Sequence, residues 1–84
     1  MFYKVQTVHP LPDYSISVVF ENGVTKKYDV KPLFDKWQAF NSLKNIYGFF
    51  EQVKVDTGGY GIVWNDEIDL SCNELWNNGT EITS

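Results

Sequence analysis

The side chains that could carry chemistry are few. There is one histidine, His9, and one cysteine, Cys72. A thiol at a helix N-terminus beside an imidazole is a physical route to a nucleophile, because both lower the thiol pKa. His9 is expected near the end of a first strand and Cys72 in the first turn of a last helix. No spacing joins them, so His9 before Pro10 reads as a strand-end residue and Cys72 as a small, partly buried thiol. The acidic run Asn65-Asp66-Glu67-Ile68-Asp69 has the look of a calcium loop. Counted from Asn65, its sixth position is Leu70 where such a loop needs glycine. Its twelfth is Trp76 where a bidentate Glu is required. Thr57-Gly58-Gly59-Tyr60-Gly61 is glycine-rich, but no Lys-Ser/Thr follows it and no helix opens after it, so it reads as a hairpin loop and not a phosphate cradle. No nucleophile elbow or zinc-binding helix motif is present. The residues therefore assign no catalytic side chain, no cofactor and no metal ligand.

What must position these groups is a β-rich frame. Ile16, Val18 and Phe20 alternate with Ser15, Ser17 and Glu21, and Val24, Tyr28 and Val30 alternate with Thr25, Lys27 and Asp29. Asn22-Gly23 between two period-two runs predicts a hairpin with both turn residues at positive φ. Tyr3 to Leu11 predicts a first strand. Val5 and Val8 are three apart, so a bulge near Gln6-Thr7 is needed to put them on one face. Pro32 opens a helical stretch to about Tyr47, one helix or two, with an apolar stripe of Leu33, Phe34, Trp37, Phe40 and Leu43, extending to Tyr47, laid on the sheet. A second hairpin follows, Phe50 to Asp56 and Tyr60 to Trp64, with Tyr60, Ile62 and Trp64 sharing a face. Ile68 to Leu70 is a short extended piece. Ser71-x-x-Glu74 predicts a capping box for a short last helix ended at Asn78-Gly79, and 79–84 reads as a frayed tail. The class is α+β: an antiparallel sheet of about five strands with two short helices, order β-β-β-α-β-β-α, in a single domain over residues 1–84.

The chain has 84 residues, with 43% hydrophobic and 17% aromatic content. That suffices for one core and excludes a disordered polymer. No apolar run approaches a membrane span of about 18 residues or more. The opening Met-Phe-Tyr-Lys-Val does not resemble a signal peptide, and a lone cysteine suits a reducing compartment, so the expectation is a cytoplasmic protein. Net charge is −4. Lys26-Lys27 with Lys31 and Lys36 make no single basic patch, since strand neighbours point to opposite faces. Direct nucleic-acid binding is disfavoured, and a basic protein partner is favoured.

Taken in order, Val5-x-x-Val8, Pro12-Asp13-Tyr14, Val18-x-Phe20-x-Asn22-Gly23, Tyr28-Asp29-Val30, Phe40-x-x-Leu43, Phe50-x-x-Val53, Gly61-Ile62-x-Trp64 and Ile68-Asp69-Leu70 resemble the small bacterial proteins grouped as domain of unknown function 2442. The family pattern carries a glycine turn before the Asp-Leu pair, where this chain has Asn65-Asp66-Glu67. The resemblance implies a β-rich α+β fold and supplies no catalytic residue. It also implies a small neighbouring partner, of domain of unknown function 4160, and with it a toxin–antitoxin pairing.

The resulting expectation is a non-enzymatic protein-interaction domain, an antitoxin-like partner of a small cytosolic protein, or a homo-dimer. Its contact surface would draw on Val19 and Val63 on the open sheet face, Trp37 and Trp76 at the margins, and the Asp66-Glu67 turn. A transcription-regulatory or small-ligand-binding domain is the alternative, the ligand or enzyme class drawing on Cys72, His9 or the Asp66-Glu67-Asp69 cluster. Loss of an activity without loss of fold on changing Cys72 or His9 would favour the ligand or enzyme class. A basic patch would favour the regulator.

Overall fold

Alternating apolar residues build the larger of two sheets in the computed structural model, which describes residues 3–82. Strands β1 (Val5–Pro10), β2 (Ser15–Phe20), β3 (Thr25–Asp29) and β7 (Thr80–Glu81) lie side by side in that order, each pair antiparallel. The register breaks between Val5 and Thr7. That bulge turns Val5 inward with Val8, which pairs with the fully buried Val18. The smaller sheet holds β4 (Lys54–Val55), β5 (Gly61–Asn65) and β6 (Ile68–Ser71). The two meet where the Val5 amide donates to the Gly59 carbonyl at 2.8 Å.

Both hairpins of the large sheet use a three-residue loop. Phe20 N donates to Val24 O and Gly23 N to Phe20 O. Of the Asn22-Gly23 pair only Gly23 has positive φ, +91°, so the expectation of two left-handed residues is corrected. One glycine in a G1 bulge closes the turn. The side chain of Asn22 instead accepts from Val24 N. The β1–β2 loop repeats the plan, with Leu11 N bonded to Ser15 O and Tyr14 at φ +60° where the other loop has glycine.

The helical stretch is broken into α1 (Lys31–Lys36), a 3-10 turn (Gln38–Asn41) and α2 (Ser42–Asn45). Trp37 is extended, at φ −132° and ψ 120°. That single break carries it off the helical stripe. Leu33, Phe34, Phe40 and Leu43 are buried as expected, while Trp37 is 47% exposed and Tyr47 wholly so. Tyr60 likewise leaves the buried face assigned to it with Ile62 and Trp64 and is about half exposed. Phe50 to Gln52 is a 3-10 turn, leaving β4 only two residues.

Helix α3 (Cys72–Asn78) starts at Ser71, whose Oγ accepts from Glu74 N at 3.1 Å. The return half of the capping box is missing, because the Glu74 carboxylate accepts from Tyr28 and Asn78 instead. After Gly79 the chain pairs with β3 through Thr80 and Glu81, and Ile82 N bonds to Thr25 O. Residues 80–82 are thus bound to the sheet and not frayed; the remainder of the expected tail, 83–84, lies outside the described residues. One apolar cluster, from Val5 through Leu75, runs under both sheets and the helices. The α+β class with antiparallel sheets and short helices holds. The short extended piece and the tail become strands six and seven.

Candidate functional site

Six residues were the candidate interaction set: Val19, Val63, Trp37, Trp76, Asp66 and Glu67. Four of them gather around the smaller sheet. Residues of β6 alternate, with Ile68 and Leu70 buried and Asp69 and Ser71 facing out. Val63 pairs with Asp69 on one side and with Lys54 on the other, so these three share the outer face. The β5–β6 turn presents Asp66 and Glu67. It needs no glycine, because Asn65 Oδ1 accepts from the amides of both Glu67 and Ile68 at 2.8 and 2.9 Å.

Against that turn lies the break in the helical stretch. Trp37, Gln38, Ala39 and Phe40 on one side and Glu67 and Asp69 on the other line a groove of about 420 Å³. Val63 and Asp66 line a neighbouring groove of about 350 Å³ beside β4. One wall of the groove is a run of packed rings. Trp37 packs on Phe40, Phe40 on Trp64, Trp64 on Phe50, with centroid separations of 5.7, 6.2 and 6.0 Å. Trp64 Nε1 also donates to the Phe50 carbonyl at 3.0 Å inside the core. A chain of rings therefore runs from a wet tryptophan to the centre of the molecule.

The remaining two candidates stand elsewhere. Val19 is on the outer face of the large sheet, between Thr7 and Thr25, and is partly covered. Trp76 is enclosed rather than open: Tyr3 stacks on it at 3.9 Å, Phe20 meets it edge-on at 4.9 Å, and the Lys26 ammonium lies 4.2 Å from its centroid. Asp69, outside the interaction set and expected only in the Asp66-Glu67-Asp69 cluster of the ligand alternative, is brought into the groove by the β6 alternation.

Charge is distributed unevenly. The chain has seven lysines and no arginine. Lys26 bonds to the Trp76 carbonyl, Lys27 reaches Asp13 at 3.5 Å, and Lys31 pairs with Asp29 at 2.9 Å. Each of these three lysines is held by a neighbouring group of its own chain. Desolvation pushes the Asp29 carboxyl up, yet hydrogen bonds from Lys31 and its charge outweigh that and hold it below its ordinary range. Asp13 is lowered in the same way, with desolvation overcome by Ser15 and Lys27. By contrast no cation or donor reaches the carboxylates of Glu67 or Asp69 among the described residues. The groove thus combines an exposed indole with two unanswered carboxylates.

Cys72 is buried at 2% exposure, and its amide donates to Tyr60 O. His9 is exposed on the outer face of the large sheet, paired with Ser17. They share no surface. No group of three or more His, Cys, Asp or Glu that could hold a metal ion occurs among the described residues. No helix there is long and apolar enough to cross a membrane.

Among known proteins, one family model, described as a protein of unknown function (DUF2442), matches residues 5–81. No curated protein and no solved structure matches the chain.

Proposed function

The chain belongs to the DUF2442 family, and from that premise we propose that it is a non-enzymatic interaction domain that docks a small basic protein through the groove between Trp37 and the β5–β6 turn. The single observation carrying this reading is the exposed Trp37 facing Glu67 and Asp69 across about 420 Å³. Aromatic anchors ringed by charge are the usual makings of a protein contact. Net charge −4 favours a basic partner and repels phosphate backbones. The antitoxin-like role, the bacterial cytoplasmic setting and the neighbouring-gene partner belong to this same proposal and rest on the family resemblance.

Co-expression with the product of the adjacent gene, followed by a pull-down and titration, tests it. A 1:1 complex weakened by Trp37→Ala supports the reading. A monomer with no complex at micromolar concentration overturns it. A small-ligand domain is the second reading, because the groove volume falls within the range of small-molecule sites.

A further inference from the structure

We propose that the Trp37 groove grips an arginine side chain of the basic partner. The inference rests on the interaction reading above and deepens it by naming the group that is recognised.

Three features of the groove select a guanidinium. The first is the indole of Trp37, 47% exposed and packed against Phe40. A planar, weakly hydrated cation stacks on such a ring better than an ammonium does. The second is the pair of carboxylates. Asp69 faces out from β6, Glu67 stands in the turn just before it, and both line the same groove. Neither is answered among the described residues, and a guanidinium has donors enough to satisfy both where an ammonium would be a point charge. The third is that the ring already attracts a cation: the Lys36 ammonium lies 4.9 Å from its centroid.

The occupant cannot be a second copy of this chain. Seven lysines and no arginine leave it without a guanidinium to offer, and two copies at net charge −4 repel. The arginine must come from a different, basic protein.

The test is an NMR titration of the full chain with N-acetyl-arginine amide, N-acetyl-lysine amide and the neutral citrulline analogue. Arginine should move the Trp37 indole N–H and the amides of Glu67 and Asp69 saturably. Lysine should do so several-fold more weakly, and citrulline not at all. The double variant Glu67→Gln/Asp69→Gln, which keeps the side chains polar and exposed, should retain a dispersed spectrum and lose binding roughly tenfold or more. Equal response to citrulline, shifts that map away from the groove, or no response at millimolar arginine overturns the proposal. The complex with the adjacent gene product separates the two readings. If it forms equally well with the double variant, the arginine site is wrong and the interaction reading stands. If arginine binds as described but no protein complex forms, the interaction reading is the one that fails.

Discussion

Tyr28 and Glu74 tie the large sheet to the last helix: the phenol Oη donates to Glu74 Oε2 across 2.8 Å, and Asn78 Nδ2 holds the same oxygen at 3.0 Å. Tyr28 is 4% exposed, paired with Ile16 in the middle of the sheet. Forty-six residues of chain separate the two partners, so the bond reports on tertiary docking and not on local structure. It also explains why Glu74 does not complete the capping box that its spacing with Ser71 predicts.

Removing that bond should be visible at neutral pH and differently visible in alkali. Tyr28→Phe is expected to cost about 1.5 kcal/mol in urea unfolding. Burial, the hydrogen bond to Glu74 and the nearby charges of Glu74 and Asp29 all push the Tyr28 phenol well above its ordinary value of 10.0. The folded value lies above the unfolded one. The stability linked to this group is therefore whole below pH 10 and is lost as pH rises beyond it. Between pH 9 and 11.5 the wild-type midpoint should fall more steeply than that of Tyr28→Phe. Parallel curves would show that Tyr28 is not shielded in this way.

Tyr14 offers a contest between backbone and side chain. At φ +60° it stands where the matching loop has glycine, a conformation costing roughly 1–2 kcal/mol for an L-residue. Its ring offsets this by meeting Phe34 at 5.5 Å and Phe50 at 5.2 Å, both edge-on. Tyr14→Ala loses the ring and keeps the strain, so it should destabilise by about 3 kcal/mol. Tyr14→Gly loses the ring and relieves the strain, and should be about 1 kcal/mol less damaging than alanine. Alanine proving the milder change would contradict the left-handed assignment.

Two glycines separate strain from space. A methyl group on Gly23 would meet nothing within 4 Å, whereas one on Gly59 would come within 2.8 Å of the Val5 carbonyl. Both have positive φ, +91° and +79°. Gly23→Ala should therefore cost only the backbone term, about 1 kcal/mol. Gly59→Ala adds a clash at the seam where Val5 N meets Gly59 O, and should cost at least twice as much. Thermal denaturation of the pair ranks them directly, and equal costs would argue against a tight seam at Gly59.

Much of this frame was legible in the residues. The Val5–Val8 spacing demanded a bulge, and the register breaks there. Alternation placed Ile16, Val18, Phe20 and Tyr28 on one buried face. What escaped was decided by contacts between distant segments. Ile68–Leu70 becomes the edge strand beside β5 only because Asn65 can supply a turn from its side chain. Thr80–Glu81 has no strand pattern of its own and pairs because α3 delivers it to β3. Helical spacing assigned Trp37 to the core, but periodicity assumes an unbroken helix. An extended backbone at that one residue reverses its environment. The groove it creates with Glu67 joins residues thirty apart, and no local pattern announces it.

Lys36 provides the sharpest probe of that groove. Its ammonium lies 4.9 Å from the Trp37 centroid, where it competes with any incoming cation for the same ring and the same field. Exposed cation–π contacts are worth about 0.5–1 kcal/mol. Lys36→Met keeps the apolar stem and removes the charge. It should therefore leave the fold intact and tighten binding of the basic partner, or of N-acetyl-arginine amide, by roughly two- to fivefold. The gain should shrink as salt is raised, because part of it is screened repulsion between two cations at an open site. Calorimetric titration of wild type and variant at low and high salt measures both effects. Weaker binding by Lys36→Met would mean that Lys36 positions Trp37 and does not compete for it, which overturns that competition; unchanged affinity would mean that the cation does not approach the ring, which removes the indole from the recognition site.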